Sequence, residues 1–332
     1  MTATPRKIAI LGPGAVGSAL GGFFAAAGHR VTLIGRPNDG HDWPAPGSHL
    51  DAIRSGGLLV DGIKGRHATR PEISADIPDG VDAPDLILLT VKSFDTAQAA
   101  RRIAEANADC PVLHLQNGIG NFELLREVLP EERILSGMII IGFTIPEPGR
   151  ATVTVYGGDI KVGRMSGGMD ATLEDVVALF DALPFTTHAV GDIGSHLWGK
   201  LLYNCALNPL GAIFNVPYGR LLDQTAQDMI REILEEAFRT AAAYEIPLFW
   251  PDSETYRAFL TGTQIPATAD HFPSMGADLR AGKRTEIDFL NGAVARLARQ
   301  RDLPAPVNTT ITRQIRFLEN ASGAGRAGGF SS

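Results

Sequence analysis

The sequence predicts an α/β domain with a mostly parallel sheet, followed by an all-α domain. Short apolar runs of β type alternate with helical stretches in the first half, whereas only long helical patterns follow residue 191. The 332 residues also exceed the usual size of one domain, roughly 150 residues. The predicted domains are residues 1–191 and 192–320, with a flexible tail rich in Gly, Ala and Ser over residues 321–332.

Five runs are apolar almost throughout, which is typical of parallel strands buried on both faces. They are Lys7–Leu11, Arg30–Ile34, Leu86–Val91, Val112–Gln116 and Ile134–Phe143. The segment from Arg36 to Gly57 is rich in Pro and Gly and is predicted as a long surface loop. Two further runs, Thr152–Tyr156 and Asp159–Gly163, flank a Gly-Gly pair and are predicted to form a hairpin.

Apolar spacing predicts one helix after the first strand, one near the end of the first domain and five in the second domain. These helices are Ser18–Ala27, Leu173–Leu183, His196–Asn208, Ala226–Tyr244, Ser253–Leu260, Glu286–Arg301 and Asn308–Glu319, and a last strand is predicted over Thr186–Val190. Pro209 is expected to end or kink the helix that precedes it, because proline has no N–H to donate.

Composition excludes several classes of protein. With 44% hydrophobic and 20% charged residues, the chain is typical of globular proteins. Its net charge of −7 gives no global attraction to nucleic acid or to an acidic membrane surface. No apolar run predicts a membrane span and no secretory pattern is found, so we expect a cytoplasmic protein. Cys110 and Cys205 are too few and too far apart to predict a disulfide framework or a metal site.

The first strand runs directly into the pattern G-x-G-x-x-G. In such a loop the first glycine permits a tight turn, the second lets a pyrophosphate approach the backbone, and the third lets the next helix pack closely on the sheet. The helix N-terminus adds free N–H groups and a positive dipole end. We therefore predict a Rossmann-type dinucleotide site, the alternative being a structural turn that binds nothing. The expected contacts are Gly12, Pro13, Gly14, Ala15, Val16 and Gly17.

The residue after the second strand favours NADP(H) as the cofactor. An NAD enzyme usually has Asp or Glu at this place for the ribose hydroxyl, whereas this chain has Arg36, which suits a 2′-phosphate. A solvated surface arginine is the alternative. Lys92 and Asn117 follow two later strands and are expected to face the cofactor, unless they are turn residues.

A polar stripe marks the first helix of the second domain. Lys200, Asn204 and Asn208 are four residues apart and therefore share one face of an otherwise apolar helix. A partly desolvated lysine has a lowered pKa and can donate a proton, and asparagines bind oxygen-rich ligands without adding charge. The alternative is a stripe that simply faces solvent. A second polar cluster contains Ser274 and Glu286, for which helix capping is the simpler explanation.

Taken together, these segments resemble the ketopantoate reductase family from Ile8 to about Glu319. The resemblance depends on G-P-G-A-V-G in the glycine loop, T-V-K at 90–92, Q-N-G at 116–118, K-L-L-Y-N-C-A-L-N-P-L-G-A-I at 200–213, S-M at 274–275 and T-E-I-D at 285–288. It implies a helical domain like the C-terminal domain of 6-phosphogluconate dehydrogenase. It also implies NADPH-dependent reduction of a 2-oxo acid, 2-dehydropantoate to pantoate in pantothenate biosynthesis.

The same resemblance implies roles for individual residues. Lys200 matches the general acid and Glu286 an acid near the nicotinamide and the substrate. The substrate contacts are Lys200, Asn204, Asn208 and Ser274, and the cofactor contacts beyond the glycine loop are Arg36, Lys92, Asn117, Phe143 and Glu286.

Three departures from the family pattern concern the substrate side. Tyr218 and His271 stand where the family often has asparagine, and Gly137–Phe143 is bulkier and more apolar than usual. A reductase of a bulkier 2-oxo acid and an NADP-binding sensor with vestigial activity are therefore kept as alternatives. The partner we expect is a small-molecule 2-oxo acid, and a homodimer is left open.

Overall fold

The computed structural model describes residues 4–36 and 43–323, which form two compact units. Unit 1 contains the residues up to Gln116 and then Asn121–Ile193, whereas unit 2 contains Asn117–Gly120 and the residues from Gly194 onward. The predicted fold class, a Rossmann-type α/β domain followed by an all-α domain, is confirmed. Residues 37–42 of the predicted loop and 324–332 of the predicted tail lie outside the described residues.

Unit 1 contains two sheets. Its strands are β1 (Lys7–Leu11), β2 (Arg30–Ile34), β3 (Leu58–Gly62), β4 (His67–Thr69), β5 (Glu72–Ser74), β6 (Leu86–Leu89), β7 (Val112–His114), β8 (Ile134–Met138), β9 (Ile141–Glu147), β10 (Arg150–Tyr156), β11 (Ile160–Gly163) and β12 (Thr187–Val190). The larger sheet has the order β12-β11-β8-β7-β6-β1-β2-β5. All its neighbouring strands are parallel except β8 and β11, which pair antiparallel with each other. The smaller sheet has the order β4-β3-β10-β9.

The helices of unit 1 cover these sheets. They are α1 (Ala15–Ala26), α2 (His49–Gly56), α3 (Thr96–Glu105), α4 (Asn121–Arg126) and α5 (Ala171–Leu179). Helix α1 packs against both sheets, since a Cβ at Gly21 would lie 2.8 Å from Leu33 on β2 and one at Gly22 would lie 2.2 Å from Val60 on β3. The two adjacent glycines therefore let the middle of α1 pack closely on both sheets.

Three predictions about unit 1 are wrong. The run Ile134–Phe143 is not one strand, because it divides into β8 and β9, which belong to different sheets. The predicted hairpin does not form: β10 lies between β3 and β9, and β11 between β8 and β12. Part of the predicted loop is helix α2, whose N-cap Ser48 accepts a hydrogen bond from Asp51 N at 3.3 Å. Apolar alternation indicates which face of a strand is buried, but it does not specify the partner strand.

Unit 2 is helical throughout its described part and has its own apolar core. Its helices are α6 (Ile193–Phe214), α7 (Gln224–Ala243), α8 (Ser253–Phe259), α9 (Ile265–Ala267), α10 (Ser274–Arg280), α11 (Asn291–Gln300) and α12 (Pro306–Ala321). The helix predicted from Glu286 begins later, because a 3-10 turn at Ile287–Phe289 precedes α11.

Helix α6 continues through Pro209, where the sequence predicted its end or a kink. Proline leaves the carbonyl four residues earlier without its helical donor. That carbonyl, on Cys205, instead accepts a hydrogen bond from Asn291 Nδ2 at 3.2 Å. A side chain from α11 thus replaces the missing backbone donor, and the helix remains intact.

Candidate active site

The turn between β1 and α1 has the conformation that the glycine pattern predicts. Gly12 has a φ of +92°, and a Cβ there would lie 2.5 Å from the backbone nitrogen of Val91. A Cβ at Gly17 would lie 2.5 Å from the Gly12 oxygen. Thr90 Oγ1 donates to the same oxygen at 2.8 Å and holds the turn against the end of β6. Only glycine fits the first and third positions of the pattern without movement of the backbone.

The N-terminus of α1 is open where a phosphate would approach. Its N-cap residue is Gly14, and no side chain caps the helix or places a negative charge in its first turn. A Cβ at Gly14 would have no neighbour nearer than the Gly12 oxygen at 4.0 Å. Uncapped N–H groups of the first turn, which begins with Ala15 and Val16, combine with the positive dipole end to suit an anionic group. The residues therefore fit a dinucleotide phosphate.

Arg36 lies just beyond β2 and forms an ion pair that the sequence analysis missed. Its Nη2 is 2.6 Å from Asp95 Oδ2, and its side chain remains 62% exposed. Asp95 ends the 3-10 turn that begins after Lys92, at the end of β6. The signal was an acidic residue three positions after a predicted cofactor contact. An exposed guanidinium held by one carboxylate still has donors for a phosphate.

Phe143 belongs to the smaller sheet. Its ring lies 6.2 Å from that of Phe185, edge to face, and it packs against the core of unit 1. These contacts are those of a core residue, so its role as a cofactor contact stays a prediction.

In unit 2, Lys200 and Asn204 lie one turn apart on α6. Among the described residues, neither side chain forms a hydrogen bond, although Asn204 is only 8% exposed and Lys200 is partly buried. Burial lowers the pKa of Lys200 to about 8, and the charge of Glu286 acts in the opposite direction. The amide atoms of Asn204 are not among the fully buried side-chain atoms that lack a partner, so they reach solvent. Both side chains therefore have polar groups available to a ligand.

Asn208, the third residue of the stripe, differs from the other two because its side chain forms hydrogen bonds. Its Oδ1 accepts from the backbone N–H of Met275 at 3.2 Å, and its Nδ2 donates to Ser274 Oγ at 3.4 Å. Asn208 thus ties the N-terminus of α10 to α6. The observed contacts make it a residue that positions Ser274, whose side chain does not cap α10.

Asn117 is held in unit 2, whereas the sequence analysis placed it in the N-terminal domain. Its Nδ2 donates to Glu286 Oε2 at 3.2 Å. Gly118 has a φ of +83°, and a Cβ there would lie 2.2 Å from the carbonyl oxygen of Phe289. Ile119 N donates to that same oxygen at 2.9 Å. The segment after Glu286 therefore fixes the position of Asn117.

The predicted site residues thus form two groups. Unit 1 holds the glycine loop Gly12–Gly17 with Arg36, Lys92 and Phe143, and unit 2 holds Lys200, Asn204, Asn208, Ser274, Asn117 and Glu286. Within residues 4–36 and 43–323, no helix is long and apolar enough to cross a membrane, and no group of three or more His, Cys, Asp or Glu residues is arranged to hold a metal ion.

Two segments of the chain match models of one protein family. Residues 8–167 match the family "Ketopantoate reductase PanE/ApbA", and residues 192–319 match its C-terminal domain. A 2-dehydropantoate 2-reductase of Halobacterium salinarum is 33% identical over 318 residues, covering 94% of this chain and 99% of the relative. One of Aquifex aeolicus is 30% identical over 316 residues, covering 94% and 97%.

The chain is also similar in structure to two kinds of solved enzyme. A PanE/ApbA family ketopantoate reductase from Ralstonia eutropha has a TM-score of 0.82 and 31% identity, covering 95% of this chain and 99% of that one. The ternary structure of a D-mandelate dehydrogenase with NADH and anilino(oxo)acetate has a TM-score of 0.83 and 25% identity, with the same coverage. The chain therefore belongs to the ketopantoate reductase PanE/ApbA family.

Proposed function

We propose that this protein uses NADPH to reduce 2-dehydropantoate to pantoate. The observation that carries the proposal is Lys200, a partly buried cation with a lowered pKa and no hydrogen bond among the described residues. Asn204 presents an unbonded amide one turn away. Relatives named 2-dehydropantoate 2-reductase, which match over nearly the whole chain, support the choice of substrate.

Lys200 is the general acid of the proposed reaction. When bound, NADPH supplies the hydride that adds to the C2 carbonyl carbon of the 2-oxo acid. The Lys200 ammonium stabilises the negative charge that develops on the carbonyl oxygen and transfers a proton from Nζ to it. The neutral amine then regains a proton from solvent, so each turnover consumes one proton from water.

The neighbouring residues bind the substrate and maintain the charge of Lys200. Asn204 donates from its amide nitrogen to the carboxylate or keto oxygen, and Ser274 adds a hydroxyl that Asn208 positions. Glu286, which accepts a hydrogen bond from Asn117, raises the pKa of Lys200 and so keeps more of it protonated near neutral pH.

The choice of NADPH over NADH depends on Arg36. Its guanidinium would hold the 2′-phosphate by charge-assisted hydrogen bonds, and the N-terminus of α1 would hold the pyrophosphate. Lys92 adds a positive charge after β6. The cytoplasmic location and the homodimer stay predictions.

The test is the oxidation of NADPH by the purified protein in the presence of 2-dehydropantoate, with NADH measured in parallel and pantoate identified as the product. We expect turnover with NADPH and a weaker reaction with NADH. Efficient reduction of another, bulkier 2-oxo acid with little activity on 2-dehydropantoate would keep the reaction and replace the substrate. Tight NADPH binding without oxidation across a panel of 2-oxo acids would favour the sensor.

A further inference from the structure

His49 connects the smaller sheet of unit 1 to helix α1 through both of its ring nitrogens. It is the first residue of α2. Its Nδ1 accepts a hydrogen bond from the backbone N–H of Gly149 at 3.0 Å, and its Nε2 lies 2.9 Å from Ser18 Oγ. Because Nδ1 is an acceptor, the neutral ring carries its proton on Nε2 and donates it to Ser18. Burial lowers the pKa of His49, so this neutral form is present near neutral pH.

Ser18 extends this chain of hydrogen bonds to the glycine loop. It is the fourth residue of α1 and is fully buried. Since its Oγ accepts from His49, its own proton is available to the Pro13 carbonyl, to which it donates at 3.1 Å. Its backbone N–H donates to the Gly14 carbonyl at 2.8 Å. Ser18 therefore holds two consecutive carbonyl groups of the loop.

The orientation of the Pro13 carbonyl matters for phosphate binding. Because a peptide unit is planar, fixing this carbonyl also fixes the N–H of Gly14, which donates to the Gly12 carbonyl at 2.7 Å. Gly14 is the N-cap of α1, so the same peptide unit sets the start of the first helical turn. The N–H groups of that turn bind an anion only if they point towards it.

The other end of the chain of hydrogen bonds is anchored in the smaller sheet. Gly149 lies between β9 and β10 with a φ of +81°, and its carbonyl accepts from the backbone N–H of Leu59 on β3 at 2.9 Å. A Cβ at Gly149 would lie 3.3 Å from the Cβ of Ala52, so this turn packs closely on α2. The His49 ring is thus held by the sheet on one side while it donates to α1 on the other.

We propose that His49 is a positioning residue of the cofactor site, which holds the glycine loop in its phosphate-binding conformation through Ser18. The proposal rests on the proposed function, because it assumes that the N-terminus of α1 holds the pyrophosphate of the cofactor. NADPH and NADH share this pyrophosphate, so a change at His49 should affect both cofactors by the same factor. A change at Arg36, in contrast, should affect NADPH alone.

Two substitutions separate the roles of the two ring nitrogens. In His49→Gln the amide nitrogen replaces Nε2 as the donor to Ser18, whereas in His49→Asn the shorter amide replaces only the acceptor Nδ1. We expect His49→Asn to raise the Kd of NADPH and of NADH by about five- to tenfold, while kcat at saturating NADPH stays within about twofold. His49→Gln should keep both Kd values within about twofold of wild type. Fluorescence titration and steady-state kinetics measure these quantities.

Ser18→Ala removes the next member of the chain and provides an independent variant. It should raise both Kd values at least as much as His49→Asn. Adding His49→Asn to Ser18→Ala should then change them by less than about twofold, because two members of one hydrogen-bond chain do not contribute additively.

His29→Asn is the matched control. His29 Nδ1 also accepts a backbone N–H in unit 1, that of Arg6 at 3.1 Å, but this residue lies beyond the C-terminal end of α1. Its substitution should leave the Kd of both cofactors unchanged.

Three results would overturn the proposal: wild-type Kd values in His49→Asn, equal losses in His49→Asn and His49→Gln, or a loss confined to NADPH. The last result would assign the effect to the 2′-phosphate rather than to the pyrophosphate. Failure of the proposed function is distinguishable, because the protein would then bind NADPH with these contrasts intact but would not reduce 2-dehydropantoate. A wild-type protein that binds neither cofactor would refute both proposals.

Discussion

The two units differ in the groups that they leave available to a ligand: backbone N–H groups in unit 1 and side chains in unit 2. In unit 1 the polar side chains around the glycine loop are bonded within the protein, Thr90 to the Gly12 carbonyl and Ser18 to the Pro13 carbonyl, so backbone N–H groups are left for a ligand. In unit 2 two side chains of the polar stripe, those of Lys200 and Asn204, form no hydrogen bond among the described residues. Anion binding by a backbone depends on chain geometry, whereas proton transfer depends on one chemical group. Adding atoms should therefore damage the first site, and removing them should damage the second.

The largest effect should come from Lys200→Ala, which removes the proton donor. We expect kcat to fall by about 10³-fold while the Kd for NADPH changes by less than about threefold. Steady-state kinetics and NADPH fluorescence titration measure the two quantities. Lys283→Ala, which removes an exposed lysine of the same unit, should leave both unchanged. Wild-type kcat in Lys200→Ala would refute the role of this residue.

In unit 1 the next largest effect should come from adding one methyl group to the glycine loop, at Gly14. Gly14→Ala should weaken NADPH binding by about 10- to 100-fold, because the new Cβ occupies the approach to the N-terminus of α1 and displaces a charge-assisted hydrogen bond. The thermal midpoint should be unchanged, since the Cβ meets no atom nearer than 4.0 Å. Gly17→Ala is the contrast: its Cβ would lie 2.5 Å from the Gly12 oxygen, so the midpoint should fall. Equal behaviour of the two variants would contradict the assignment of Gly14.

Arg36→Ala tests the one side chain on which cofactor choice is proposed to depend. The ratio of kcat/KM for NADPH to that for NADH should fall by about tenfold, because the 2′-phosphate loses its charge-assisted hydrogen bonds. Asp95→Asn removes the carboxylate 2.6 Å from Arg36 and should preserve or increase the preference for NADPH. An unchanged ratio in Arg36→Ala would exclude this arginine as the selector.

The smallest effect is a pH dependence of the reaction rate, which is set by the amine of Lys200 and the carboxylate of Glu286. The proposed acid is protonated Lys200, so kcat/KM for reduction should be constant below its pKa of about 8 and fall tenfold per pH unit above it. Oxidation of pantoate should show the opposite trend, because it needs the neutral amine. Glu286→Gln should move the break to lower pH, since the carboxylate raises the pKa of Lys200. A profile that stays flat through pH 9, about one unit above that pKa, would contradict the assignment.

Several features were predictable because they depend on local sequence. β1 and β2 begin and end at the predicted residues, and the glycine pattern predicted a tight turn at Gly12, where the structure has a φ of +92°. The helical spacing of Lys200 and Asn204 predicted their common face. Backbone conformation at glycine and the period of an α-helix are set within a few residues, so a single sequence is sufficient to specify them.

Other features depend on residues far apart in the sequence. The strand partners of β10 and β11 are decided by which sheet each strand completes, and apolar patterning does not contain that information. The continuation of α6 past Pro209 depends on Asn291, 86 positions after the carbonyl it satisfies. Neither outcome can be predicted from local propensity, because the compensating group comes from another helix.

The sequence by itself determined the fold class, the glycine loop and the polar face of α6, because each is a short-range pattern with a direct physical cause. Only the tertiary structure decided what those polar groups do. It bonded Asn208 to α10, paired Arg36 with Asp95 and held Asn117 on Glu286, while Lys200 and Asn204 were left without hydrogen bonds among the described residues. Hydrogen bonding and desolvation depend on the atoms that surround a side chain, and those are brought together by folding.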